Sequence, residues 1–584
     1  MATALGAISY IFAGFGLLTA NAPVVEISTG KVQGKVDTSR GGREFYSYTG
    51  IPYAKKPVGD LRFEPPVPPE RWKGIYKATE YGPECMQFDA LVYGRLVGEE
   101  DCLYLNVYVP KVPKTTGRLP VLVKIHGGGL VTGNSAFYGP KYFMDEDIIV
   151  VTMNYRLSSL GFLNTGDDLI RGNMGFKDQS MVLRFCQENI RRFGGDPDRI
   201  TLMGEDSGAV AVHFHILSPL SKGLFSKAIL QSGTAAMPGA FITDPKSQSK
   251  RFGKRVGCLT KNTTALVMCL KRKRAKVLIL PSSDVMSPIH DPQDVFAGTL
   301  EAVRREDTFL SEHPMTILEQ GNFNAVPVIM GVTSAEGCLK TARIAAYPEV
   351  QENMGYHWKD WAPRFLNYDP ENTDISERIR QYYFGEGRTA NPGDDLESLT
   401  QMFSDGLYYH SLKYSAVRHA RFAPVYLYFY TYESKALPNT YSLVRAVRPD
   451  DWTPSEVQVA TSVTHDMMKK RSRSTGAHEW GVCHGEDELV LWHFNWMSEI
   501  WKTSPDYRFS RLLLTTFVEF AEKDGYRMKF EGIPWPAIDP KEEPLPYMQF
   551  DEPARIIDEP FTKYLSFWDD LEVRNPNATE DDYF

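Results

Sequence analysis

The chain runs to 584 residues, 42% of them hydrophobic, which is enough to bury a large core. A formal net charge of −8 and a sequence pI near 5.9 exclude the basic field that a nucleic-acid surface needs. There is no CxxC pair and no His/Cys cluster at zinc spacing, so neither a metal nor another cofactor is expected.

The N-terminus carries an apolar stretch from Leu5 to Leu18 and a small-residue end, Ala20-Asn21-Ala22. This reads as a secretory signal at residues 1–22, leaving 23–584 as one secreted domain. No later segment reaches the roughly 20 apolar residues of a membrane span. The acidic end, Glu580 to Phe584, has no hydrophobic tail for a lipid anchor. A secreted context turns cysteines toward disulfides. Cys85 and Cys102 bracket one short loop, and Cys258 and Cys269 another, so both pairs suit local staples. Asn262-Thr263-Thr264 and Asn577-Ala578-Thr579 are glycosylation acceptors. Cys186, Cys338 and Cys483 sit in apolar or motif contexts and are expected as buried thiols. The basic run Lys271-Arg272-Lys273-Arg274 reads as a solvated helix face.

Short apolar, β-rich runs follow, separated by helical sequence. Leu103–Val109 alternates as a strand should; Val121–Ile125, Ile148–Thr152, Ile200–Met203 and Lys227–Leu230 come next, then Val326–Met330 and Val425–Phe429. Pro327 cannot donate to a ladder, so it marks the start of its strand. The stretch from Asp178 to Phe193, closed by Gly194-Gly195, reads as a crossover helix. The pattern is a doubly wound α/β sheet, buried on both faces, with ligand chemistry at the carboxyl ends of its strands.

Two motifs stand at such ends. Met203-Gly204-Glu205-Asp206-Ser207-Gly208-Ala209 follows a strand and opens a helix, the setting of a nucleophile elbow with G-x-S-x-G spacing. Gly204 and Gly208 lie two residues either side of Asp206, whereas centring on Ser207 would need glycines where Glu205 and Ala209 stand. The spacing therefore selects Asp206. Upstream, His126-Gly127-Gly128-Gly129 is an HGGG run, whose backbone N–H groups approach a developing oxyanion.

With EDCLYLNVYVP, NYRLSSLGF, GNMGFKDQ, ENIRRFGGDPDRITLMGE and LSPLSKGLFSKAILQSG, these motifs make the chain resemble the type-B carboxylesterase and cholinesterase-like family from about Val24 to Trp568. The resemblance implies an α/β-hydrolase fold, a large, mostly parallel central sheet flanked by helices. It implies a Ser-Glu-His triad with Asp206 at the nucleophile position, Glu336 in Gly331–Gly337 as the acid, and His484 in Gly481–Gly485 as the base. It also implies an oxyanion hole from Gly128, Gly129 and the Ser207 amide, and the pairings Cys85–Cys102 and Cys258–Cys269. Cholinesterases hold their quaternary ammonium on a tryptophan in the first disulfide loop; residues 86–101 contain none, so choline esters are not expected.

An aspartate at that position changes the chemistry. Its carboxyl, with a reference pKa of about 3.9, is ionised at neutral pH. Attack on an ester carbonyl would form an anhydride, and the intermediate would expel the carboxylate sooner than an alkoxide. The oxyanion donors are free to bind Asp206 itself, and His484 between two carboxylates favours its charged form. The expectation is impaired serine-esterase chemistry and a binding, sequestering or adhesion role, toward a small apolar ester-like ligand or a protein partner. The alternatives are a carboxylic ester hydrolase working on small apolar esters through a displaced Ser207, and an Asp-nucleophile hydrolase of epoxides or alkyl halides.

Overall fold

The computed structural model describes residues 23–89, 95–260, 262–282, 296–345, 348–385, 391–437, 480–494, 497–523 and 527–571. Residues 1–22, Asn577 and the acidic C-terminus lie outside the described residues. Among the described residues, no helix is long and apolar enough to cross a membrane.

The centre is an eleven-stranded sheet. Its strands in chain order are β1 (Lys35–Thr38), β2 (Glu44–Pro52), β3 (Tyr104–Pro110), β4 (Leu119–Ile125), β5 (Ile149–Met153) and β6 (Gly195–Glu205). They continue as β7 (Lys227–Gln231), β8 (Val328–Thr333), β9 (Val425–Tyr430), β10 (Pro546–Phe550) and β11 (Arg555–Asp558). Across the sheet the order is β11-β10-β9-β8-β7-β6-β4-β5-β3-β2-β1. The interior pairs from β5 through β10 are parallel, with Val150 opposite Leu122 and Met203 opposite Lys124. Strands β1, β2, β3 and β11 pair antiparallel at the two margins.

Side chains alternate between two cores as the strand period requires. Val121, Val123, Ile125, Val328 and Met330 pack on one side, while Leu122, Val150, Met203 and Ile329 pack on the other. The expected doubly wound sheet is therefore present, and each predicted run is a strand within a residue or two of its expected bounds, apart from β6, which extends at both ends, and β8, which starts two residues later and ends three residues later. Pro327 precedes β8 and its carbonyl accepts from the Ala228 N–H at 3.1 Å. The crossover helix α1 spans Met174–Asn189, four residues earlier than read from sequence, and ends in a 3-10 turn, Ile190–Phe193. Gly194 closes that turn at φ 87°.

The basic run lies at a helix end. Thr263–Arg272 is helical, Lys273 is extended, and Lys271 Nζ bonds Glu64 at 2.7 Å. Asn262 caps the same helix from an exposed position, accepting from the Ala265 N–H at 3.1 Å. Cys85–Cys102 and Cys258–Cys269 are disulfides, and Cys186 is a buried thiol pushed up to about 12 by desolvation. The expectation for Cys338 and Cys483 is corrected. They are joined across 145 residues with their Cα atoms 5.5 Å apart, because a β-bridge between Ala335 and Cys483 brings their two loops together.

Candidate active site

The turn between β6 and the next helix, α2 (Ser207–Leu217), centres on Asp206 at φ 54°, ψ −127°. The glycines two residues on either side have a steric reason. A Cβ on Gly204 would meet the Gly208 carbonyl carbon at 2.2 Å, and one on Gly208 would meet the Ile125 oxygen at 2.4 Å. The turn thus closes against the end of β4, where His126–Gly129 begins. Asp206 is tied at both backbone ends, its N–H to Gln231 O and its carbonyl to Val210 N–H, each at 3.0 Å.

The Asp206 carboxylate points at the glycine turn. Oδ2 accepts from Gly128 N–H at 2.8 Å and from Gly129 N–H at 2.9 Å, and the Ser207 amide also supports the carboxylate. Burial acts to raise this carboxyl. The facing His484 imidazole and the Ser207 and Gly129 amides outweigh it, holding Asp206 well below the usual carboxylate range. The neighbouring Ser207 is turned elsewhere: its Oγ accepts from Leu130 N–H at 3.0 Å.

Glu336 follows β8, and His484 comes from the loop before a short helix, Glu486–Leu491. Glu336 Oε2 lies 2.6 Å from His484 Nδ1, while Oε1 accepts from Ser232 Oγ at 2.6 Å and Thr333 N–H at 2.7 Å. On the other ring nitrogen, His484 Nε2 is 3.1 Å from Glu205 Oε1 and 3.7 Å from Asp206 Oδ1. Burial works against an imidazolium here, yet Tyr408, Glu336 and Asp206 hold His484 well above its ordinary value. Burial lifts Glu205 well above the usual range; His484 opposes that and Asp206 adds to it.

The sequence-read residues Asp206, Ser207, Gly128, Gly129, Glu336 and His484 thus converge on one site. Sequence reasoning missed three neighbours. Glu205 was visible beside Asp206, and Ser232 stands at the end of β7, where such folds gather their chemistry. Tyr408, with its ring centroid 5.0 Å from that of His484, left no signal, because it arrives on a π-helix, Ser404–Tyr409. Among the described residues, no group of three or more His, Cys, Asp or Glu side chains is arranged to hold a metal ion.

Sheet, turn and triad-like cluster together define an α/β-hydrolase. The model of the carboxylesterase family matches residues 21–568, and the chain belongs to that family. It is 32% identical to a carboxylic ester hydrolase of Bombus ignitus, across 96% of each chain. It is also 32% identical to venom carboxylesterase-6 of Apis mellifera, covering 95% of this chain and 96% of that one. Juvenile hormone esterase of Tribolium castaneum is 33% identical over 73% of this chain and 75% of its own. The crystal structure of juvenile hormone esterase from Manduca sexta, with OTFP covalently attached, superposes with a TM-score of 0.75 at 25% identity, covering 94% of this chain and 99% of that one.

Proposed function

We propose that this chain is a secreted carboxylesterase-family protein in which Asp206 stands at the position of the nucleophilic serine, and that it binds a small apolar ester-like ligand without efficient turnover. The observation that carries this reading is the seat of Asp206 Oδ2 on the Gly128 and Gly129 amides. Those amides are the donors that would stabilise a tetrahedral oxyanion, and a resident carboxylate competes with it for them. The imidazole supports the same conclusion. His484 lies between Glu336 and the Asp206 carboxylate and favours its charged form, so while Asp206 is present it is a poor acceptor for a proton. Ser207 does not replace the missing hydroxyl, since its Oγ lies on the Leu130 amide. Secretion is supported by the signal-like N-terminus and by a venom relative, and exposed Asn262 is the proposed glycan acceptor.

One observation favours a second reading, an Asp-nucleophile hydrolase. With Oδ2 anchored, Oδ1 of Asp206 is left able to attack a saturated carbon. On an epoxide, the new bond would run from Oδ1 to carbon, the ring C–O bond would break, and its oxygen would take the proton from His484. Intact mass after exposure to a fluorophosphonate and to an alkyl epoxide separates the readings. The binding role predicts no adduct from either; a fluorophosphonate adduct contradicts it, and an epoxide adduct on Asp206 supports the second reading.

A further inference from the structure

The floor of an ester-hydrolysing site presents donors to a carbonyl oxygen. Here the Gly128 and Gly129 amides are spent on Asp206 Oδ2, and His484 Nε2 faces Glu205 Oε1 at 3.1 Å. The atom left over is an acceptor. Asp206 retains a quarter of its side-chain surface, and its Oδ1 meets the His484 imidazolium only in a loose ion pair at 3.7 Å, which leaves a lone pair on the exposed side for another donor. A carboxylate oxygen with unused lone pairs repels the carbonyl, phosphoryl or carboxylate oxygen of a ligand and attracts a donor.

We propose that the floor of this site has inverted hydrogen-bond polarity and takes a protonated alkylamine head group on Asp206 Oδ1. The inference rests on the non-catalytic binding reading above and names the head group that such binding selects; the tail remains apolar, as that reading has it. An ammonium is favoured over a neutral hydroxyl because a charge-assisted hydrogen bond is about twice as strong as a neutral one. The local charge agrees with this choice: the His484 imidazolium is paired with Glu336 at 2.6 Å, and the Asp206 carboxylate, held well below the usual range, keeps its charge beside it. The ammonium has three N–H donors, so it bonds Oδ1 without displacing the amides from Oδ2.

The test is isothermal titration of the full chain with octylamine, octanoate and an octyl trifluoromethyl ketone, repeated on Asp206→Ser and on the isosteric Asp206→Asn. The native protein is expected to bind octylamine at least about tenfold more tightly than the ketone, and octanoate not at all. Asp206→Ser is expected to reverse the order of amine and ketone, and Asp206→Asn to lose amine binding. Amine affinity unchanged in both variants, no amine binding to the native chain, or native ketone binding as tight as amine binding overturns the proposal. Aryl-ester turnover measured on the same samples keeps the two claims apart. Native turnover matching that of Asp206→Ser removes the non-catalytic reading, whereas low turnover without amine binding removes only this inference.

Discussion

Glu336 Oε2 lies 2.6 Å from His484 Nδ1, and the same Glu336 is held from behind by the Ser232 hydroxyl and the Thr333 amide. The carboxylate is thereby fixed in position, and it favours the imidazolium against the cost of burial. His484 is therefore expected to remain protonated well above pH 6.5 in an NMR titration of its ring signals. Glu336→Gln should lower that titration by about one pH unit or more. The sign for stability follows. A histidine raised in the fold contributes fully below its unfolded value of about 6.5, and that contribution is lost as pH rises through the folded value. A ring that titrates near its unperturbed value in the native protein contradicts this electrostatic account.

Asp405 lies in the π-helix that carries Tyr408. Burial pushes its carboxyl up to about 8, against hydrogen bonds from Tyr383 Oη and Gln401 Nε2, each at 2.8 Å. The native state thus keeps a proton that the unfolded chain releases near pH 4. Between those values native stability should fall as pH rises, by up to about 1.4 kcal/mol per pH unit. Asp405→Asn should flatten that dependence and melt higher than the native chain at pH 8. Denaturant curves at pH 4, 6 and 8 with equal slopes for both proteins would count against it.

The Cys338–Cys483 disulfide begins two residues beyond Glu336 and one before His484. It therefore ties the two segments whose side chains must meet at 2.6 Å. Replacing both cysteines with alanine should cost roughly 2–5 kcal/mol of stability, the usual range for a native disulfide. In an Asp206→Ser background it should also lower ester turnover by about tenfold, because misplacement near 1 Å is costly to acid–base chemistry. Unchanged turnover at a temperature where the variant stays folded would show that the backbone bridge between these loops, in which the Ala335 N–H donates to Val482 O at 2.8 Å, suffices alone.

The interior strands from β4 to β9 were legible because burial on both faces leaves apolar runs such as Val121–Ile125, whereas β10, Pro546–Phe550, was not read. The two outermost strands were not legible. Lys35–Thr38 and Arg555–Asp558 are half-buried or exposed, so no apolar run marks them. Asp206, Gly128 and Gly129 were readable because close backbone approach leaves a glycine pattern, seen in Gly128 at φ 106° with its missing Cβ against Thr132 O at 2.3 Å. Glu336 and His484 were readable only through family resemblance. The pairing of Cys338 with Cys483 was not readable, since 145 residues separate partners that meet only through tertiary structure. Tyr408 was hidden for the same reason: its position follows from a π-helix that no local pattern announces.

The most direct test of the account is turnover of a short-chain aryl ester by the native chain and by Asp206→Ser, with Ser207→Ala in the native background and His484→Ala in the serine background as controls. Replacing Asp206 frees the Gly128 and Gly129 amides and supplies a neutral nucleophile beside His484. General-base and oxyanion contributions are each worth roughly 10²–10⁴ and 10²–10³ in rate. The account predicts that Asp206→Ser exceeds the native chain by at least about a hundredfold, and that His484→Ala abolishes the gain. Equal turnover by the two proteins, lost on Ser207→Ala, would contradict it and make Ser207 the nucleophile.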